Sequence, residues 1–417
     1  MLWQAIPREQ WDYHRPHKRI DLGSNGFLPP NQRSEWQAVK DYRPIESPIV
    51  KVANRIGTSM TQRFYLVGAG AIAHAHAKSI SGLDFDSDVF VADPSKEARE
   101  AFADKFPEAT LFEDADSMFD APARDDDIAV IATPVFAHHG PAIQALESGR
   151  HVLCEKPFAL TLDEATEILA TANQTDRIVA SPTCREHSPA TDRVAELVKE
   201  GTIGEPYHIT WTARNNRSRP GIEYQPVSKW FLDRSKSGGG PVMDWGPYDA
   251  YQLQRLLDPE SVTVQQAWTA QPETEIDPSD VPNTVEYHAS ADLTYHCGDG
   301  TDVAVSYERS WCTHGDPRTI FEIEGTQGAI RWSWLDWVEP DEVTLATDDD
   351  GERVTETIEI ESAAQDNPIE NMVRLVNGEN APIASGDTAL FNFSVLQGIY
   401  AAAETGDRQE ISRTDLP

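Results

Sequence analysis

The chain has 417 residues, too many for one ordinary hydrophobic core and enough for two or three domains. Its 35 Lys+Arg against 69 Asp+Glu leave a formal charge of −34, which excludes a nucleic-acid binder that works by neutralising phosphates. With 39% hydrophobic residues it can still fill cores, so the acid reads as a coating and not as disorder. No apolar run approaches the roughly 18 residues of a membrane span, and the N-terminus lacks the pattern of a signal peptide. The four cysteines (Cys154, Cys184, Cys297, Cys312) show no CxxC spacing and fit reduced thiols. The expectation is a cytoplasmic protein with no membrane, nucleic-acid or metal partner.

In chain order, the first 59 residues stand apart. They hold nine Lys/Arg, six Asp/Glu and six prolines with no sustained period. Two readings stay open: a proline-rich basic arm anchored by Trp3, Trp11, Phe27 and Trp36, or translation that truly starts at Met60. From residue 60 to 183, short apolar strands (Phe64–Val67, Val89–Ala92, Ile128–Ala132, His151–Cys154, Ile178–Ala180) alternate with amphipathic helices. That rhythm predicts a doubly wound parallel sheet covered on both faces. From 184 to 417 the pattern changes. Helices over Ala190–Glu200 and Tyr248–Leu257 accompany alternating runs at Val262–Trp268, Val285–Tyr295, Val303–Trp311, Thr319–Glu324, Ala329–Trp334 and Val354–Ile360. Helices Pro368–Val376 and Thr388–Glu404 close the chain. This predicts a second, α+β domain on a large, mainly antiparallel open sheet.

Gly68-Ala69-Gly70-Ala71-Ile72-Ala73 follows the first strand and opens the first helix, a GxGxxG turn with alanine in third place. Gly68 permits the tight turn, Gly70 lets backbone N–H groups approach a pyrophosphate, and the helix N-terminus favours anions. Asp93 ends the second strand, where an acid accepts hydrogen bonds from a ribose and repels a 2′-phosphate. NAD is therefore expected, with NADP possible because Lys96 is close by. A helix N-cap before Pro94 is the structural alternative for Asp93.

Glu155-Lys156-Pro157 follows the strand at His151–Cys154, on the carboxyl edge where open α/β sheets bind ligands. With only ten lysines in the chain, Lys156 is expected to stabilise an alkoxide, its pKa lowered by burial; the plain reading is an exposed turn lysine. Gly238-Gly239-Gly240-Pro241 then leads to Asp244 and Tyr248, four residues apart. If a helix has begun by Asp244 both lie on one face and, near Lys156, form a proton relay; a turn, or a capping Asp with a core Tyr, is the alternative.

Taken in order, these motifs resemble the Gfo/Idh/MocA (glucose–fructose oxidoreductase, inositol dehydrogenase, rhizopine catabolism) family from about Arg63 onward. The carriers are Gly68-Ala69-Gly70 with His76, Thr133-Pro134 with His138, Glu155-Lys156-Pro157, Glu200-Gly201-Thr202-Ile203-Gly204, the triple glycine with Asp244 and Gly246, and Gly325-Thr326-Gln327-Gly328. The resemblance implies a Rossmann domain, an open-sheet domain whose exposed face forms the subunit interface of a homo-oligomer, and NAD(P)-dependent oxidation or reduction of sugars, cyclitols and related polyols. It also implies that Gly68, Ala69, Gly70, Ala71, Ile72, Asp93, Thr133, Pro134 and His138 bind the dinucleotide. Glu155 and Lys156 would face the nicotinamide and the reacting carbon, and Asp244 the substrate. Many members carry histidine where this chain has Tyr248; tyrosine resembles the branch of the family with a proline-rich N-terminal arm.

Tyrosine is a poor base at its ordinary pKa of about 10. The expectation is that Tyr248 accepts the proton, Lys156 lowers its pKa and Asp244 orients substrate. For Arg185, Arg214 and Trp230 two readings stay open: a place in the lining of the polyol pocket, or a structural role. Trp311, Trp332, Trp334 and Trp337 are expected at an oligomer face. Two other functions fit the same motifs: an NAD-dependent glycosidase that oxidises its substrate transiently, and a dinucleotide-binding sugar sensor without turnover. Finally, scarce lysine with acidic runs such as Asp348-Asp349-Asp350 resembles the composition of proteins from salt-accumulating haloarchaea.

Overall fold

The computed structural model describes residues 61–183, 189–274, 277, 282–333, 342–360 and 367–416. The arm over 1–59, Arg185, Trp334 and Trp337 lie outside them.

The first sheet is built from β1 (Gln62–Val67), β2 (Ser87–Ala92), β3 (Thr110–Phe112), β4 (Ile128–Ile131), β5 (His151–Cys154) and β6 (Val179–Ser181), interleaved with α1 (Ala71–Ser81), α2 (Lys96–Ala103), α3 (Ala115–Phe119), α4 (His139–Glu147) and α5 (Leu162–Thr175). Every residue of β4 and β5 is buried, as a strand covered on both faces requires. Local signals place the helices: Ser95 caps α2, Asp114 caps α3 and Thr161 caps α5, each side chain accepting a backbone N–H in the first turn.

The second region holds α6 (Pro189–Lys199), β7 (Pro206–Arg214), α7 (Arg234–Ser237), α8 (Pro241–Leu257), β8 (Pro259–Ala270), β9 (His288–Cys297), β10 (Asp302–Ser310), β11 (Arg318–Gly325), β12 (Gly328–Trp332), β13 (Glu342–Asp349) and β14 (Glu352–Glu359). Then come α9 (Pro368–Val376), β15 (Ala384–Ser385), α10 (Gly386–Thr405) and β16 (Gln409–Ser412).

The first sheet runs β15-β6-β5-β4-β1-β2-β3, parallel apart from the β15–β6 pair. Read from β3 to β6 this is the dinucleotide-binding order, with its crevice between β1 and β4. The second sheet runs β14-β13-β12-β11-β7-β10-β9-β8-β16, and among the described residues only β7 and β10 pair in parallel. One face of it is the core: Trp211 of β7, Leu293 and Tyr295 of β9, Val305 and Tyr307 of β10 and Phe321 of β11 are buried. Helices α6, α8 and α10 pack on the strands of this sheet.

Three expectations change here. The segment after residue 184 does not stay with the second sheet, because β15 pairs with β6 and α9 packs on α1. Helix α8 starts at Pro241 and not at Tyr248, since proline is suited to a first helical position. Trp311 and Trp332 are buried inside the chain, at 0% and 4% exposure, and present nothing to a partner subunit. Alternation tells which residues share a face, not which of the two faces is packed.

Candidate active site

The site forms where the carboxyl edge of the first sheet meets the start of α8. At the glycine turn, Gly68 has φ +103°, and a Cβ there would lie 2.8 Å from the Ala132 carbonyl oxygen of the β4 end, so only glycine fits. Gly70 and Ala71 are exposed and a Cβ on Gly70 would meet open space. The α1 N-terminus carries no side-chain cap and no acid in its first turn, which leaves its N–H groups and dipole to an incoming anion. The Asp93 carboxylate accepts from Ala69 N–H and from Ser95 N–H, both at 2.8 Å, so it braces the turn it was expected to serve. The cap of α2 is Ser95, not Asp93. Thr133 Oγ1 donates to the Ala137 carbonyl at 2.9 Å. Half-buried Ile72 and exposed Pro134 border the same edge. These residues fit a dinucleotide.

His138 is buried, its ring nitrogens 2.8 Å from the Thr133 carbonyl and 3.1 Å from the Pro157 carbonyl. Burial pushes its pKa down, against the hydrogen bond to Thr133 and the charge of Glu155. It staples the loop after β4 to the loop carrying Lys156, whose bond to Pro157 is cis. Both nitrogens face backbone carbonyls and a neutral ring can donate to only one of them, so the ring tethers one of these loops and packs against the other.

Lys156 and Asp244 meet across 88 positions of chain. The ammonium donates to the Asp244 carboxylate Oδ1 and to the Asp244 carbonyl, both at 3.0 Å, and lies 5.0 Å from the centre of the Tyr248 ring. The side chains of Lys156 and Asp244 are 18% and 13% exposed, so the pair opens to solvent but is not washed by it. Burial acting alone would drive the ammonium down. Asp244, Tyr248 and Glu155 outweigh it and hold Lys156 above the ordinary lysine range, which overturns the expected lowering. At neutral pH Lys156 is a fixed cation and a hydrogen-bond donor, not a base.

The triple glycine has a steric reason. A Cβ on Gly239 would fall 2.0 Å from the Tyr400 hydroxyl, and one on Gly240 would fall 1.9 Å from the Glu286 carbonyl oxygen. The Glu286 carboxylate accepts from Gly240 N–H at 2.9 Å and from the Tyr400 hydroxyl at 2.7 Å, holding the start of α8 from the segment just before β9. Further along α8, Asp249 forms a buried ion pair with Arg309 (Nε to Oδ2 2.9 Å) and accepts from the Tyr307 hydroxyl at 2.9 Å and Trp211 Nε1 at 2.8 Å. Asp244 and Tyr248 are therefore carried on a helix fixed at its start and its middle.

Among the sequence candidates, Trp230 stacks on Phe231 and meets Phe136, the exposed ring that follows Pro134, so it flanks the cofactor side of the site. Arg214 does not join it. It pairs with Glu308 on the outer face of the second sheet, opposite the face that carries Trp211 toward α8. Sequence reasoning missed Tyr224, in the loop between β7 and α7. Burial pushes its phenol up, Asp244 adds to this and Lys156 opposes it, so the ring stands within electrostatic reach of the pair. Its sole sequence signal is an aromatic residue three positions after the turn-forming run Arg219-Pro220-Gly221. Glu286 and Tyr400 were also missed. Among the described residues, no three His, Cys, Asp or Glu side chains converge as a metal site.

Residues 62–182 match the oxidoreductase family with an NAD-binding Rossmann fold, and residues 191–331 match the Gfo/Idh/MocA C-terminal domain. The chain belongs to the Gfo/Idh/MocA family, and its first domain is that family's NAD-binding domain. Among curated relatives, D-glucoside 3-dehydrogenase of Escherichia coli is 24% identical, covering 85% of this chain and 99% of the relative. D-xylose 1-dehydrogenase [NADP(+)] of Haloarcula marismortui is 27% identical, covering 93% and 98%. Levoglucosan dehydrogenase in complex with NADH shares the fold at a TM-score of 0.69 and 20% identity, covering 84% of this chain and 99% of that one.

Proposed function

We propose that the protein is an NAD(P)-dependent dehydrogenase acting on a CH–OH group of a sugar, cyclitol or related polyol. One observation carries the reading: a fixed ammonium, a carboxylate and a phenol meet at the carboxyl edge of a dinucleotide-binding sheet. The bound nicotinamide would supply the hydride acceptor. Lys156 donates a hydrogen bond to the substrate oxygen and stabilises the negative charge that grows there as the carbinol carbon is oxidised. Tyr248 takes the hydroxyl proton, with the Lys156 charge over its ring favouring negative charge on the phenol oxygen. Asp244 accepts from a neighbouring substrate hydroxyl and holds Lys156 in place. Glu155 faces the nicotinamide. The names of the relatives support the substrate class.

The test is NADH formation at 340 nm across aldoses, cyclitols and sugar acids, with NAD and NADP, in molar KCl. Net NADH from a free sugar supports a dehydrogenase. Glycoside cleavage without net NADH would make it a glycosidase, and binding with no turnover would make it a sensor. The carboxylate of Asp93 supports NAD as the better cofactor, because Lys96 is largely exposed and paired with Glu100. A higher kcat/KM with NADP would reverse that preference.

A cytoplasmic homo-oligomer formed through the outer face of the second sheet completes the proposal. That face carries ion pairs such as His208–Glu324 and Arg214–Glu308 beside half-exposed Trp268. Light scattering that finds a monomer would remove the oligomer. A haloarchaeal source is part of the same reading, and it predicts a large rise in unfolding midpoint from 0.2 to 2 M KCl, as screening shortens to a few ångströms. A flat response, followed by circular dichroism, would count against it.

A further inference from the structure

His76 belongs to a buried stripe of α1 that otherwise holds Ala73, Ala77 and Ile80. An imidazole in an apolar stripe is costly unless it is bonded, and this one, 1% exposed, has Nε2 2.7 Å from Glu155 Oε1. Among the described residues its Nδ1 has no partner. In the neutral ring the proton therefore belongs on Nε2, which donates to the carboxylate. The other Glu155 oxygen accepts the Lys156 backbone N–H at 3.1 Å, and the Glu155 N–H is held by the Ile131 carbonyl at 3.0 Å. One carboxylate is thus gripped from the helix that begins at the glycine turn and from the backbone of the lysine that pairs with Asp244.

We infer that His76 is a positioning residue that locks Glu155, and through it the Lys156 backbone, to the dinucleotide-binding helix, so that the cofactor seat and the ammonium keep one register. The inference rests on the reading above that Glu155 faces the nicotinamide and Lys156 acts on substrate. His76 itself touches neither.

Three variants of the full chain separate this role from simple core filling. His76→Gln places an N–H where Nε2 stood, His76→Asn reaches only the Nδ1 position, and His76→Leu keeps bulk without a donor. NADH is titrated by tryptophan fluorescence on variants whose circular dichroism matches the wild type. The Gln variant is expected within about threefold of wild type in NADH affinity. The Asn and Leu variants are expected at least about tenfold weaker, the loss of one hydrogen bond to a charged partner. In a Glu155→Leu background, which removes the acceptor, His76→Leu should add less than about twofold, because the pair acts as a unit. Equal affinities for Gln, Asn and Leu would overturn the role, as would full additivity with Glu155→Leu. If Leu does not fold, the Gln–Asn comparison decides alone. A wild type that binds NADH but oxidises no sugar would overturn the dehydrogenase reading, while the titration still decides the part played by His76.

Discussion

Helix α8 carries two aspartates five positions apart, each paired with a cation from a distant element, and the two pairs do different work. Asp244 meets Lys156 with both side chains between a tenth and a fifth exposed. Asp249 meets Arg309 with both sealed at 0–1%, its remaining lone pairs taken by Tyr307 and Trp211. A sealed pair cannot exchange partners with a substrate and serves as an anchor whose removal leaves a bare buried charge. A partly open pair retains donors that an incoming hydroxyl can share. Burial, more than residue type, separates the partly open end of the helix from the sealed one.

The comparison can be broken from either side. Tyr248→Phe should lower kcat by about 10²–10⁴ with little change in denaturation midpoint. A loss under threefold would pass the proton to Asp244 or to Tyr224. Lys156→Met should cost about 10²–10³ in kcat, the range for one donor to a developing oxyanion. Arg309→Met should leave Asp249 buried and unpaired and destabilise the fold by about 3–5 kcal/mol in urea titrations. The double change Arg309→Met with Asp249→Leu should recover much of that, and a double variant as unstable as the single one would show that the pair is not what anchors the helix.

Glu286, at the start of α8, sharpens the contrast through pH. Burial raises its pKa, against the hydrogen bonds from Tyr400 and Gly240. The folded state therefore holds this proton to higher pH than the unfolded chain does, and its contribution to stability is complete at acid pH and lost as pH rises through the folded value. Glu286→Gln should flatten that part of the stability–pH curve. An unchanged slope would mean that the carboxyl is not the group responsible.

Much of this was legible in the sequence because it was local. The glycine turn, the Asn367-Pro368 start of α9, the fully apolar β4 and the Val152–Cys154 run of β5 announce themselves within a few residues. Lys156, Asp244 and Tyr248 were found because a strand end and a glycine-rich helix start are chemically conspicuous. What stayed hidden was non-local. Strand β7 lies at the centre of the second sheet, yet its partners β10 and β11 come about a hundred residues later in the chain. The Glu286 hold on the start of α8, the Asp249–Arg309 anchor and the pairing of β15 with β6 join positions that no periodicity connects. Trp311 and Trp332 were assigned to an exposed face although they are buried inside the chain, because burial is a property of the assembled layers.

The crowding at Gly239 and Gly240 bears on how such a catalyst can change. No side chain, not even a methyl group, can be added there without pushing the helix that bears Asp244 and Tyr248 off Tyr400 and Glu286. The reacting groups are thus set in a rigid mount. On the proposed function, a change of substrate is to be sought in the segments that carry Trp230 and Tyr224 and not at this mount.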